Sequence, residues 1–405
     1  MTTQEKTACS QKSGSSGLYI GQFADGYTPV VDGVVTVIRN YAYWLNKKYG
    51  QCDIFAPNSP GHDFDEPFAV HGFFSIPVPK RPPYRAGFPT LDSSYHKALK
   101  GKNFDLLHCH SPFPVGNEAL RLGRKLRIPV VATFHSKYYD DFKQFTGSDF
   151  LARQGTQIVS AFYRRADSVW TVNEATTETL REYGYKGPIV IMPNGTDMHP
   201  PAAPEETRAL VEQLCGIDEK LPLLLFVGQL IWQKNLRLIA QGAAKAWEQG
   251  HRFRLCFVGE GNAREELSQL ITQLGLEACI RLLGVVRDRN MLAGLYSRSS
   301  ALLFPSLYDT AGLVVREAAS LGCPTVVIRD SNASDNMIHG ENGFLCDDTV
   351  DSMADTIADI LRDQTQAKAI GQRAGETLAL PWEQVVDRAH EQYLEVIRQY
   401  RATHK

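Results

Sequence analysis

The chain lacks several things that would each have named a class. No stretch reaches the ~18 consecutive apolar residues that a membrane span needs. The eight cysteines are scattered, without a Cys-x-x-Cys pair, so no thiol-redox or zinc-ribbon motif is present. His108-Cys109-His110 has the ring of a metal site, but no second cluster follows at zinc-like spacing. No Gly-x-Gly-x-x-Gly opens the first helix, which removes the dinucleotide fingerprint of an oxidoreductase. Neither sign of charge dominates: the formal net charge is −2. With no extended basic face, nucleic-acid binding is excluded as the leading reading. Met1–Gly17 is polar and has no apolar core, so it is expected to be a disordered tail rather than a signal peptide. Reduced, buried thiols in a cytoplasmic protein follow from the cysteine pattern.

What is present starts with a charge asymmetry. Residues 1–190 carry 22 Lys and Arg against 17 Asp and Glu, and the remainder 21 against 28. A basic first half on an acidic second half suggests two domains with different partners, although solvated surfaces account for it equally well.

Apolar runs alternate with helical patterns. Leu18–Phe23, Leu106–Cys109, Val130–Phe134, Ser168–Val172 and Ile189–Met192 read as strands. Val34–Lys48, Val115–Leu126 and Ala175–Tyr183 read as helices between them. This is the strand–helix rhythm of a parallel sheet. Pro193-Asn194-Gly195-Thr196-Asp197 and a Pro-rich stretch to Pro204 interrupt it. The rhythm then restarts. Leu223–Val227, Arg254–Val258, Ile280–Leu283, Ala301–Phe304 and Thr325–Ile328 are the strands. Leu236–Gln249, Ala263–Leu274, Met291–Ser297 and Gly312–Leu321 are the helices. Pro381–Arg401 reads as a long amphipathic helix. The expected α/β organisation is a tail over 1–17, a Rossmann-like domain over 18–198, a second over 199–380, and a helix over 381–405 that returns to the first domain. Two such domains would place strand carboxyl ends on either side of one cleft, where ligands bind.

The most informative segment is Ser300–Glu317. A buried strand leads through Pro305 into a helix start with a carboxylate on each side: Asp309 before it and Glu317 about two turns into it. The amides of Ala311, Gly312 and Leu313 would point out between them. Amides suit a phosphate and carboxylates suit sugar hydroxyls. The segment alone is read equally well as a helix cap with a surface Glu. Four further loops fall at strand ends. Asp25–Val34 contains Gly33, which lets backbone approach a phosphate, though a plain turn accounts for it equally well. Phe134-His135-Ser136 places a His past a strand; such a His is more often structural. Gly228-Gln229-Leu230-Ile231-Trp232-Gln233-Lys234 holds a Lys near a helix start, where it could neutralise a diphosphate or simply be solvated. Val258-Gly259-Glu260-Gly261 is half of a nucleotide loop.

Taken in this order, these motifs resemble the retaining glycosyltransferases of family 4, which have the GT-B fold of two Rossmann-like domains facing a cleft. The resemblance covers essentially residues 18–400. It rests on Pro193–Asp197, Val227–Leu230 with Lys234, Phe257–Gly261, Phe304–Glu317 and Asn342-Gly343-Phe344-Leu345. The family's two acids separated by seven residues are here Asp309 and Glu317, with Asp for the usual Glu. The resemblance implies that Asp309 faces the donor sugar and Glu317 the nucleotide ribose. It also implies that Gly33 and the amides of Ala311, Gly312 and Leu313 approach diphosphate and sugar, and that His135 lines the sugar and acceptor site. His135, Lys234 and Asp309 are then the catalytic candidates. One departure stands out: Gln229 occupies the place of the family's usual Arg, which removes a positive charge from the leaving-group site.

The implied reaction moves a hexose from a nucleoside diphosphate sugar, with UDP-glucose as first choice, and keeps the anomeric configuration. Charge builds on the departing diphosphate. Lys234 and helix starts can meet it, so the reading requires neither a metal nor another cofactor. The acceptor is expected on the basic first domain. Lys80–Phe88 and the aromatics Tyr138, Tyr139, Phe142, Phe145 and Phe150 suit an anionic membrane surface, or are simply core and solvated charge. His135–Tyr139 and the residues after it resemble the bacterial diacylglycerol glucosyltransferase branch, so a lipid acceptor at the inner face of the membrane is one expectation and a soluble or polysaccharide glycan another. A UDP-sugar 2-epimerase and a catalytically silent sugar-nucleotide binder remain as rivals.

Overall fold

Five consecutive residues, Val130–Phe134, four of them apolar, are all buried in a strand, which is how a strand reads when a sheet is covered on both faces. The computed structural model describes residues 17–30, 32–79 and 83–404. The expected tail (apart from Gly17) and Lys80, Arg81 and Pro82 of the basic segment lie outside the described residues.

The chain forms two units, the first running to Asn194 and adding Trp382–Lys405, the second Gly195–Pro381. The first contains β1 (Leu18–Phe23), β2 (Gly50–Pro57), β3 (Val70–Phe73), β4 (Ser75–Pro77), β5 (Arg85–Gly87), β6 (Leu106–Cys109), β7 (Val130–Phe134), β8 (Ser168–Thr171) and β9 (Val190–Ile191). β4 and β5 pair antiparallel. The others make one parallel sheet in the order β3-β2-β1-β6-β7-β8-β9. Ile20 lies opposite both Cys52 and Leu106. Burying Phe23, Phe55, Phe73 and Phe134 stabilises the unit by roughly 1.5–3 kcal/mol for each such side chain. The C-terminal helix, Trp382–Thr403, belongs here and buries Trp382, Val385, Val386 and Tyr393. Its Asp387 pairs with Lys48 at 2.6 Å, and His390 stacks on Tyr49 with ring centroids 3.8 Å apart.

The second unit contains β10 (Leu223–Val227), β11 (Arg254–Val258), β12 (Ile280–Gly284), β13 (Ala301–Leu303), β14 (Thr325–Ile328) and β15 (Phe344–Cys346). They form a parallel sheet in the order β12-β11-β10-β13-β14-β15. Leu224 sits opposite Leu255 on one side and Ala301 on the other. In both sheets the strand order reverses beside the first strand, between β1 and β6 and between β10 and β13. These reversals open a crevice at the carboxyl ends of the strands.

The observed elements shift some sequence boundaries. The first helix starts at Gly33 rather than Val34, because Asp32 caps it by accepting from the Val35 N–H at 2.8 Å. The strand expected over Ile189–Met192 keeps only Val190–Ile191. The helix expected over Gly312–Leu321 spans Leu313–Ser320, since Gly312 adopts φ 50° as its cap. Pro204, at the end of the Pro-rich stretch, opens a helix to Cys215, in the first turn where a missing N–H costs no helical hydrogen bond. The helices Tyr138–Thr146 and Asp149–Tyr163, where an aromatic run was read, were not anticipated as elements.

Candidate functional site

The switch point of the second sheet collects most of the expected donor residues. The loop after β10 carries Gln229 and Lys234, and the loop after β13 carries Asp309 through Gly312. Lys234 Nζ forms an ion pair with the Asp309 carboxylate across this crevice. Both side chains are largely shielded, at 11% and 22% exposure, which strengthens their attraction relative to a surface pair. The ammonium also lies 5.4 Å from the Phe304 ring centroid, a cation–π contact that holds it at the strand end. The Asp309 N–H donates to Ser306 Oγ at 3.3 Å, which ties the loop back to the buried Ser306.

Gly312 is the residue on which the helix start depends. At its φ of 50° an added Cβ would lie 3.1 Å from Val315 and 3.3 Å from Phe304, so a side chain there is both strained and crowded. Its conformation turns the chain into Leu313–Ser320. The Leu313 and Val314 amides thus belong to a first turn with no earlier helical carbonyls to bond. Glu317 follows within this helix and accepts from Tyr296 Oη at 3.0 Å. Burial pushes its carboxyl above the ordinary glutamate range, opposed by the Arg289 charge and the Tyr296 hydroxyl. Arg289 is itself paired with Asp197 at 2.6 Å, so Asp197 and Glu317 share one cation.

Gln229 is exposed. The loop that carries it is pressed against the loop after β11. A Cβ on Gly259 would meet the Gly228 carbonyl oxygen at 1.9 Å, and one on Gly261 the Leu230 oxygen at 2.3 Å. Leu230 N–H donates to the Glu260 carbonyl at 2.9 Å. These two glycines therefore make room for neighbouring backbone, which explains them without a phosphate.

In the first unit, Gly33 is exposed at the start of its helix. His135 follows β7 and is 5% exposed. Its Nε2 lies 3.0 Å from His110 Nδ1. His110 Nε2 lies 2.6 Å from Gln22 Oε1. His108 bridges Tyr393 Oη at 2.6 Å and Thr133 Oγ1 at 2.7 Å. Burial holds all three rings neutral, taking His135 down to about 3 and His108 and His110 well below the usual histidine value. The His-x-His motif thus supplies two interior rings, as the period of two along a strand directs. Among the described residues no cluster of His, Cys, Asp or Glu is arranged to hold a metal ion.

Sequence reasoning missed Asp25. Its carboxylate accepts from the Val115 N–H at 3.1 Å, the Gly116 N–H at 3.4 Å and Ser111 Oγ at 2.5 Å. It therefore caps Pro114–Leu126 from another loop, and burial raises its carboxyl to about 6 despite these bonds. Tyr296 and Arg289, which set the environment of Glu317, were also missed. No local signal marks any of the three, since each acts on a residue distant in sequence. The aromatic run divides: Tyr138 is buried, whereas Phe145 and Phe150 are 73% and 69% exposed.

Two parallel sheets, each with a switch point, and an acid–lysine pair at the second define a GT-B glycosyltransferase, an enzyme that takes a sugar from a nucleotide sugar. The chain belongs to glycosyltransferase family 4: residues 31–199 match the model described as Glycosyltransferase Family 4, and residues 212–377 that of Glycosyl transferases group 1. It is 23% identical over 316 residues to the alpha-monoglucosyldiacylglycerol synthase of Streptococcus pneumoniae, covering 76% of this chain and 70% of that one. It is 24% identical over 395 residues to a GDP-mannose-dependent alpha-mannosyltransferase of Mycobacterium tuberculosis, covering 96% and 99%. The fold is similar to that of Anabaena HepE solved with UDP and glucose, with TM-score 0.74 at 17% identity over 93% of this chain and all of that one.

Proposed function

We propose that the protein transfers a hexose, glucose from UDP-glucose in the first instance, to an acceptor hydroxyl with retention at the anomeric carbon, and that the acceptor is diacylglycerol at the inner membrane face. The observation that carries the transfer chemistry is the Lys234–Asp309 pair bridging the loops after β10 and β13. A donor diphosphate entering there meets the ammonium, and the sugar meets the carboxylate that the ammonium releases. Glu317, deeper in the same helix, suits the ribose hydroxyls as an acceptor. The amides of Ala311, Gly312 and Leu313 and the start of the helix at Gly33 offer donors to phosphate and sugar oxygens.

In this scheme the acceptor oxygen attacks the anomeric carbon on the face that the diphosphate leaves. The new C–O bond forms as the bond to phosphate breaks, and the acceptor proton passes to a phosphate oxygen. Lys234 stabilises the negative charge that develops on the leaving group. The scheme uses no cofactor beyond the nucleotide sugar itself. His135 is a neutral hydrogen-bonding group in it rather than a proton donor of ordinary pKa.

Support for the lipid acceptor comes from the exposed Phe145, Phe150, Leu151 and Ile158 on the helices Tyr138–Thr146 and Asp149–Tyr163, with an exposed Lys143 beside them that pairs with Asp149 at 3.0 Å. Apolar rings with a nearby cation suit a lipid headgroup boundary. Among the described residues no helix is long and apolar enough to cross a membrane. The mannosyltransferase relative, which spans nearly the whole chain, favours a mannosyl donor, and a second reading joins that donor to a soluble or polysaccharide acceptor. Purified protein incubated with UDP-glucose, UDP-galactose, UDP-N-acetylglucosamine and GDP-mannose, with diacylglycerol vesicles, with a soluble oligosaccharide or with neither, separates the readings by product mass. Glucosyldiacylglycerol supports the first. Mannosyl product on a soluble acceptor replaces it with the second, and no transfer from any donor leaves a silent binder.

A further inference from the structure

The buried histidines of the first unit form a directional chain. Gln22, on β1, places its carbonyl oxygen 2.6 Å from His110 Nε2. A carbonyl oxygen can only accept, so the proton of the His110 ring sits on Nε2. A neutral imidazole carries a single N–H, which leaves His110 Nδ1 as an acceptor. His135 Nε2, at 3.0 Å, must then be the donor, and its own Nδ1 becomes the accepting nitrogen. We infer that Gln22 and His110 are positioning residues that fix the Nε2–H tautomer of His135 through this relay. Burial disfavours the charged form of both rings, so the alternative in which each nitrogen is a donor does not arise near neutral pH.

Two observations support a built device rather than incidental packing. Gln22 and His110 are 0% and 1% exposed, so no water competes for the contacts. The His110 and His135 rings lie nearly parallel, with centroids 5.2 Å apart, while Tyr41 packs edge-on against His110 at 6.2 Å. Gln22 Nε2 has no hydrogen-bond partner and faces the Cys52 thiol, a contact that either orientation of the amide allows. The reversed amide would donate to His110 and invert the whole chain, which makes the direction measurable.

The tautomer is a property of the folded chain and stands apart from the proposed reaction; its effect on catalysis rests on that reading. The test is nitrogen NMR of the full chain labelled on histidine, with the His135 signals assigned by their loss in His135→Ala. The expected wild-type result is a proton on Nε2 of His135 and an unprotonated Nδ1. A proton on Nδ1 instead overturns the proposal without any variant. In Gln22→Met, which keeps length but removes the acceptor, the preference should weaken about tenfold, the bias of one ordinary hydrogen bond. An unchanged tautomer ratio in a folded Gln22→Met overturns the role of Gln22. In a transfer assay the same variant should lower kcat about tenfold or more, with little change in donor KM, because a misdirected contact acts on the reacting geometry. A normal kcat alongside a lost tautomer preference would leave the relay standing and remove His135 from the proposed chemistry.

Discussion

The two switch points are built from opposite materials. At the second sheet, the residues brought together are charged and partly reachable: Lys234 on Asp309, and Glu317 on a helix whose first amides face outward. At the first sheet, the residues behind the strand ends are neutral and sealed: His110 and His135 on Gln22, His108 on Thr133 and Tyr393. A charged pair can be opened by an incoming anion, because the anion replaces one partner with another of like charge. A sealed neutral network offers no such exchange; its worth lies in holding a ring still. On the proposed function, the second unit does the electrostatic work on a donor, while the first supplies shape and fixed hydrogen bonds.

The sharpest way to break this contrast is Lys234→Ala. It removes the leaving-group charge and strands the Asp309 carboxylate, so kcat for transfer should fall about 100-fold or more. Unchanged turnover would mean that the pair is structural. Asp309→Asn is expected to cost less, on the order of tenfold in kcat/KM, with the melting temperature nearly unchanged; equal loss of folding and transfer would return the segment to a plain helix cap.

Glu317→Gln tests the two roles of one carboxylate. Its folded pKa is raised by burial, so ionisation costs stability as pH climbs through that raised value. Removing the charge should therefore raise the melting temperature at neutral pH, by roughly 2 °C, while nucleotide binding measured by calorimetry weakens. In the wild type, that binding should decline on acidification at a pH above the ordinary glutamate range.

The sealed side is tested through pH. His135 is depressed to about 3, and His108 and His110 also lie well below 6.5. The unfolded chain binds protons on these rings that the folded chain refuses, so stability falls as pH drops below about 6.5, by up to ~1.4 kcal/mol per histidine per pH unit. Asp25, raised to about 6, works the other way below that value and offsets one of the three. Urea unfolding at pH 7 and pH 5 should show lower stability at pH 5, and a His108→Gln variant, in which the amide keeps hydrogen-bonding capacity, should show a shallower loss. A steeper loss in the variant would contradict the neutral network.

How much was legible in the chain follows from distance along it. Strand–helix alternation, the turn at Gly312 and the spacing of Asp309 and Glu317 are local, and local pattern carries them. β2 and the helices Tyr138–Thr146 and Asp149–Tyr163 escaped because polar and aromatic residues dilute their period. The Gly259–Gly261 loop looked like a phosphate cradle, yet its glycines answer to the backbone of residues 228–230. The cap on Pro114–Leu126 comes from Asp25, some ninety positions earlier in the chain. The amino-acid order settled the kind of sheet, its repetition and the loops at the strand ends, because hydrophobic period and turn chemistry act over a few residues. Which side chains meet there was decided only when parallel strands brought distant loops side by side. Lys234 found Asp309, and Gln22 and His110 closed on His135, because hydrogen bonds and ion pairs depend on ångström separations that no spacing in the sequence encodes.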